Sequence, residues 1–439
     1  MADFTKMTKY IDNLSGELDI PGADVAVYRN NECIYRHAEG YSDAAKTKPM
    51  NGKEQFLLYS ASKVITMTAM MILIEEGKVS LDDEAGKFYP AFYDVCVKTP
   101  EGLKKAKNKI TVKSLMTMTA GFSYDLNSEP IMEVKAKKVH ENPMEEIMNA
   151  IARMPLLFEP STHFQYSLCH DVVGGIIEKA SGMKFGEFLK KRIFEPVGMT
   201  HTRFALDESD NPDFMEQYVY DDEKKENIPS ERKVEYTLIP GYESGGAGLL
   251  SCVDDYAKFA AMLAAGGVTK DGVRVLSRES IDKMRTPMLD EKIVHEGAKY
   301  YQGYSYGLGV RTMIDKEKCG AKSPIGEFGW DGAAGAYMFV KAVLSLAKRK
   351  MTEPFCLAWA VLSALMILSG IILNPSQLDR YVSLRGLILI MIIVSGILWG
   401  LWFISTQVSS LKRRNQELAM QVSLLNNDYE KIIKELEKL

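Results

Sequence analysis

Ser60 and Lys63 stand three residues apart in the stretch 56–77, FLLYSASKVITMTAMMILIEEG. On a helix, residues at that spacing share a face, so the Lys63 amine can lie beside the Ser60 hydroxyl. A serine hydroxyl alone is a poor nucleophile and needs a neighbouring base to take its proton. A lysine in apolar surroundings supplies one, because desolvation lowers its pKa and frees the neutral amine. The pair therefore suits attack on a carbonyl carbon. By itself the motif is weak, since Ser-x-x-Lys arises often by chance; without further support, a helix cap plus a solvated lysine is the better reading. Ser62 is the poorer nucleophile of the two, because no lysine follows it at the same spacing.

The elements that must position this pair follow from residue pattern. Val64, Met67, Met71 and Ile74 recur at helical spacing, as do Ile65, Ala69 and Ile72. A helix apolar on so many sides belongs in a domain centre. The sequence predicts that it opens at Ser60, a favoured N-cap, and stops at Gly77. Its first N–H groups and positive dipole end would favour negative charge developing there. An amphipathic helix is expected over 3–18, then strands over 23–29 and 32–38 joined by a tight turn at Asn30-Asn31. Further helices are expected over 110–118, 143–154, 170–195 and 253–265, and strand-like sequence returns at 304–312 and 335–340. Strands at both ends with helices between predict an α+β fold, with one sheet built from the two ends plus an inserted helical region. Gly245, Gly246 and Gly248 read as a flexible turn rather than a phosphate cradle, since no Lys-Ser/Thr follows.

Composition narrows the classes. A chain of 439 residues suggests two or three domains. Its formal net charge of −4 gives no case for a nucleic-acid surface. The cysteines Cys33, Cys96, Cys169, Cys252, Cys319 and Cys356 show no C-x-x-C pairing, which argues against a zinc site or a disulfide framework and fits a reducing compartment. The histidines show no metal-ligand spacing, so neither metal nor cofactor is expected. The opening MADFTKMTKYIDNL lacks the apolar stretch of a secretion signal, and a cytosolic location is expected for this part of the chain.

Several segments in order then carry a resemblance: FLLYSASK, ITVKSLMTMTAGFSYD, PLLFEPSTHFQYSLCHDVVGGIIEKASG, IFEPVGMTHTRF, SGGAGLLSCVDDYAKFAAML and EFGWDGAAGAYMFV. From about residue 5 to 340 the chain resembles the serine β-lactamase, penicillin-binding protein and esterase superfamily, nearest its class C branch. The resemblance implies an antiparallel sheet flanked by helices and a metal-free acyl-enzyme mechanism on a small ester or amide, β-lactams included. By position, Ser60 would be the nucleophile and Lys63 its partner. Tyr166 falls where the family keeps Tyr-x-Asn, and its phenol could shuttle a proton. Whether Lys63 or Tyr166 is the base stays open at this level. Trp330-Asp331-Gly332 falls where the family has Lys-Thr-Gly or His-x-Gly on a strand, and the N–H groups of Ser60 and Ala333 would form the oxyanion hole. Two departures count: Leu168 stands where resembling enzymes hold a substrate amide with Asn, and Trp330 replaces a cation. Both tilt the expectation toward esters or amides of less charged substrates. Singly, Tyr166 and Trp330 are ordinary core aromatics, and His163 and His170 read as structural; the ordered set favours catalysis.

After Val340 the resemblance stops. Residues 1–340 read as a hydrolase domain lacking its last strands, 341–353 as a basic junction, 354–405 as a two-helix transmembrane hairpin and 406–439 as a cytoplasmic coiled-coil helix. Residues 355–373 and 386–405 carry no charge over 19 and 20 positions, each enough to cross a bilayer core. Lys348, Arg349 and Lys350 before, and Lys412, Arg413 and Arg414 after, predict both ends inside. Leu411, Leu418, Leu425, Ile432 and Leu439 repeat every seventh residue, and Asn415 in the companion position favours a parallel homodimer through 408–439. A helix lying on the membrane or on its own protein is the competing reading. The tail, about 351–439, is similar to an uncharacterised bacterial family of small membrane proteins. The expectation is thus a hydrolase domain tethered to a lipid bilayer, or a catalytically impaired domain on a self-associating scaffold.

Overall fold

The helix that follows Ser60 is the axis of the structure. Helix α2 (Ser62–Glu75) is buried from Ser62 to Leu73. Val64, Ile65, Met67, Met70 and Leu73 have no exposed surface at all, and each such side chain stabilises the fold by about 1.5–3 kcal/mol. The apolar-all-round pattern therefore means what it predicted, a core helix. The computed structural model describes residues 3–341 apart from 18–19, 44, 206–210, 222, 231–236, 290–293, 296–301 and 322. These belong to one unit of the chain, Met1–Ala342.

Helix α2 begins two residues later than expected. A short 3-10 turn, Tyr59–Ala61, carries Ser60 and runs straight into it, with Ala61 rather than Ser60 at the cap. The N-terminal helix is broken at Asn13 into α1 (Thr5–Asp12) and the single turn Leu14–Glu17. Strands β1 (Gly22–Arg29) and β2 (Glu32–Gly40) pair antiparallel. Asn30 and Asn31 both have positive φ, 54° and 62°, as a two-residue hairpin turn of the right twist demands. Helix α3 (Val112–Met116) starts at a capping box between Thr111 and Ser114, and α4 spans Pro143–Arg153.

The long helix expected over 170–195 is interrupted. Helix α5 (Cys169–Ser181) ends at Gly182, whose φ of 69° is the left-handed stop glycine tolerates best. The chain then resumes as Phe185–Leu189, a wider turn Lys190–Phe194 and Glu195–Val197. Helix α6 spans Val253–Ala264.

Two sheets hold the helices in place. Strand β5 (Leu249–Cys252) lies between β3 (Gln55–Leu57) and β4 (Arg203–Phe204), all antiparallel. Strands β6 (Tyr304–Tyr306), β7 (Arg311–Met313), β8 (Phe328–Asp331) and β9 (Tyr337–Val340) follow one another in an antiparallel sheet. The expected single sheet is corrected: among the described residues β1–β2 and β6–β9 are separate ladders, and α6 packs against both β1 and β9.

The membrane expectation is corrected as well. Among the described residues no helix is long and apolar enough to cross a membrane. Helix α2, with 14 residues, is about 21 Å long against a hydrocarbon core of about 30 Å. The stretches 355–373 and 386–405 and the heptad positions 408–439 lie outside the described residues.

Candidate active site

Ser60 is placed by a backbone turn that costs energy. Tyr59, just before it, has φ of 44°, a conformation that non-glycine residues avoid and that clusters at functional positions. The turn is pinned on three sides. Leu58 N–H donates to the Leu249 carbonyl at 2.8 Å, the Tyr256 hydroxyl donates to the Ala61 carbonyl at 2.7 Å, and the Tyr59 hydroxyl donates to Gln217. Ser60 keeps part of its surface open. Ser62, by contrast, is fully buried and accepts the Leu249 N–H at 3.2 Å, so the competing serine is committed to structure.

One turn on, the Lys63 amine reaches back to the Ser60 Oγ at 3.1 Å. It also donates to the Gly246 carbonyl at 2.7 Å and approaches the Tyr124 hydroxyl at 3.5 Å. Lys63 has no exposed surface. Burial lowers its pKa to about 7, even though the buried Asp171 carboxylate pulls the other way. Loss of hydration outweighs this attraction and the weaker ones from Cys169 and Asp331, because the amine has no exposed surface. At neutral pH about half of the molecules therefore carry a free amine beside the serine.

Aromatic rings form the wall opposite. Tyr124 stacks on Tyr166 at 5.6 Å, and Tyr166 stacks on Trp330 at 5.6 Å. The Lys63 amine lies 4.7 Å from the centre of the Tyr166 ring. The Tyr166 hydroxyl takes a hydrogen bond from the Trp330 indole N–H at 3.3 Å and interacts with Ser60. Burial raises the phenol above its ordinary pKa, so at neutral pH it keeps its proton and can give it away. Trp330 is buried and supplied by β8, whose strand packs on the turn carrying Ser60.

The remaining expected residues divide. Gly332 lies against that turn, and a side chain there would come within 2.2 Å of the Leu58 carbonyl, so glycine is required. Its N–H donates to the Ala336 carbonyl at 2.6 Å, closing the turn that holds the exposed Ala333. Asp331 is exposed and pairs with Arg311 at 2.9 Å. Leu168 does not line the opening: it is buried in the core at the start of α5. His163 hydrogen-bonds Thr162 at 2.9 Å, and His170 is buried with burial holding it far below its usual pKa.

Sequence reasoning missed two contributors. Tyr124 stands inside a quoted segment but 61 residues from Lys63, and no spacing rule links them. Asp171, on α5, is buried and accepts hydrogen bonds from the Tyr242 hydroxyl at 2.9 Å and the Ser244 hydroxyl at 2.6 Å. An acid at the head of the apolar run VVGGII was the available signal. The glycine loop also departs from expectation, being buried rather than flexible. Gly245 abuts α5, with the His170 carbonyl only 2.4 Å from where a Cβ would be, and Gly246 runs between Asp171 and Lys63. Metal-ligating types converge at His201, Cys252 and Asp255 and at Asp12, His37 and Glu39. Asp255 is already taken by the His201 N–H and the Thr202 hydroxyl, and neither group includes a residue of the Ser60 constellation.

The α+β fold with a serine at the mouth of its buried helix is the β-lactamase-like one. The chain belongs to the family described as Beta-lactamase, whose model matches residues 7–347. Protein Rv1367c of Mycobacterium tuberculosis is 29% identical over 332 residues, covering 72% of this chain and 82% of that protein. Esterase EstB of Burkholderia gladioli is 24% identical over 373 residues, 79% of this chain and 90% of its own. Among solved structures, EstCE1, a hydrolase with promiscuous acyltransferase activity, has a TM-score of 0.65 at 24% identity, covering 77% of this chain and 90% of its own. Simvastatin synthase LovD from Aspergillus terreus has a TM-score of 0.64 at 21% identity, covering 78% and 91%. These likenesses show a shared fold. The family match ends at residue 347 and does not extend to the tail resemblance over 351–439.

Proposed function

We propose that this chain is a serine hydrolase that cleaves a small ester or amide through an acyl-Ser60 intermediate. One observation carries the reading: a fully buried Lys63 amine, with its pKa lowered to about 7, lies 3.1 Å from the Ser60 hydroxyl. Lys63 takes the Ser60 proton as Oγ attacks the carbonyl carbon. The oxyanion that forms is held by the N–H groups of Ser60 and Ala333. As the tetrahedral intermediate collapses, the leaving alcohol or amine takes the Tyr166 proton, which Lys63 restores. Water then attacks the acyl-serine with Lys63 again as base, releasing the carboxylic acid and free Ser60. Tyr166 suits the acid role rather than the base role, because burial keeps its phenol protonated. Kinship with an esterase and the absence of an amide-holding side chain at Leu168 favour esters over peptides.

The test is covalent labelling of the full chain by a fluorophosphonate. Labelling is expected on Ser60 and lost in Ser60→Ala, with ester turnover falling at least a thousandfold. Folded protein that takes no label, or a Ser60→Ala variant that behaves like the wild type, overturns the reading. That outcome would favour a non-catalytic domain whose self-association, through 408–439, is lost on substituting Leu418.

A further inference from the structure

We infer that Asp331, braced by Arg311, filters substrates by charge, admitting neutral and cationic esters and turning away those that carry a carboxylate near the scissile bond. The inference rests on the acyl-serine reading above.

Asp331 is tethered at the lip of the site. The residue before it, Trp330, stacks on Tyr166, and the residue after it, Gly332, lies against the Leu58 carbonyl two positions before Ser60. Its side chain is 52% exposed, so a substrate approaching Ser60 meets a carboxylate that still faces water. That carboxylate acts on the Lys63 amine and on the Tyr166 phenol. Asp171, the other acid acting on both, is buried under the glycine loop and out of a substrate's reach.

The nearby cation cannot serve a substrate instead. Arg311 donates Nη1–H to Asp331 at 2.9 Å and Nη2–H to the Tyr337 hydroxyl. Its guanidinium lies 5.2 Å from the Tyr304 ring centre and 4.9 Å from that of Tyr337. Both arms are occupied and aromatic rings cover it, leaving its side chain only 16% exposed. Strand register fixes this set, because Asp331 pairs directly with Tyr337 and Arg311 with Gly329 on the neighbouring strand. The lip thus shows a substrate the acid and hides the base. Between partly exposed groups a single like-charge contact changes a rate by roughly fivefold to tenfold, and salt screens it over about 10 Å at 0.1 M.

The experiment compares kcat/KM of the full chain on p-nitrophenyl butyrate, mono-p-nitrophenyl succinate and p-nitrophenyl 4-(trimethylammonio)butyrate. The wild type is expected to prefer the neutral ester to the anionic one by roughly fivefold to tenfold at low salt, with the gap narrowing in 0.5 M NaCl. Asp331→Asn removes the carboxylate and frees Arg311, so the anionic-to-neutral ratio should rise by at least about fivefold. Arg311→Gln uncovers Asp331, so the same ratio should fall. A merely structural role would move all three esters together. A ratio unchanged in Asp331→Asn, or two variants shifting it in the same direction, overturns the filter. If Asp331→Asn fails to fold, Asp331→Ser and Arg311→Gln are read by the same ratio. Wild-type protein that is folded, cleaves none of the esters and takes no fluorophosphonate overturns the acyl-serine reading itself, an outcome distinct from equal cleavage of all three.

Discussion

Replacing Lys63 by methionine should make this protein more stable and nearly inactive at once. In an unfolded chain the amine has an ordinary pKa near 10.5; buried, it is lowered to about 7. At pH 7 the unfolded chain is fully protonated at this residue while the folded one is about half protonated. The difference costs the native state about 4 kcal/mol, at about 1.4 kcal/mol per pKa unit. Methionine keeps the length and volume of the side chain and removes that cost. Against the gain stands the Gly246 carbonyl, which loses its 2.7 Å donor and is left unsatisfied at about 1–3 kcal/mol. The net expectation at pH 7 is about 1–3 kcal/mol of stabilisation, or roughly 1–4 °C in melting temperature for a domain of about 340 residues.

The two pKa values, folded and unfolded, set the pH window. A lysine whose folded pKa is depressed releases its proton on folding, so wild-type stability rises with pH between about 7 and 10.5. The advantage of Lys63→Met must therefore shrink across that window and reverse near its upper end, where only the lost hydrogen bond remains. Thermal melts of both proteins from pH 6 to 10, with ester turnover measured alongside, test this. A variant that melts below the wild type at pH 7, or a difference that ignores pH, would refute the claim that the amine is held neutral by burial.

Two further outcomes follow from the same geometry. The acylation rate at low substrate should rise with pH through a midpoint near 7, as Lys63 loses its proton; a flat profile from pH 6 to 9 in kcat/KM would assign the base elsewhere. Gly245→Ala places a methyl group 2.4 Å from the His170 carbonyl, a backbone atom that cannot swing aside. It should cost about 1–3 kcal/mol and shift the loop that anchors Thr66 and Lys63 through the Gly245 and Gly246 carbonyls, lowering both melting temperature and turnover. Wild-type melting behaviour would mean that α5 and the loop are not packed as described.

What could be read from the chain was what is local. Ser60 and Lys63 are one turn apart, so helix periodicity alone brings them together, and the apolar residues after them announce the burial that tunes the amine. The hairpin at Asn30-Asn31 was legible for the same reason, since the turn chemistry sits in the two residues themselves. The aromatic wall was not legible from spacing: Tyr124, Tyr166 and Trp330 come from three distant stretches, and only resemblance placed two of them. The sequence does not distinguish a flexible glycine loop from a packed one, because glycine serves two opposite ends. It loosens an exposed turn, but it also lets a backbone press against a helix, and only the neighbours at Gly174 and His170 show which applies. The long helix over 170–195 failed at Gly182, where a left-handed residue stopped a pattern that was otherwise periodic.

The departures at Leu168 and Trp330 bear on chemistry more than on folding. A polar side chain at position 168 would be drawn into a core where Leu168 has 1% of its surface exposed, so the start of α5 has been given to packing instead of substrate. Trp330, where the resemblance leads one to expect a cation, is a rigid ring whose N–H is spent on the Tyr166 hydroxyl. That bond and the one with Ser60 hold the phenol without adding charge. On the proposed acyl-serine reading, with Leu168 in the core and the Trp330 N–H occupied, selectivity has to come from the shape of the aromatic wall and from whatever charge stands at the lip.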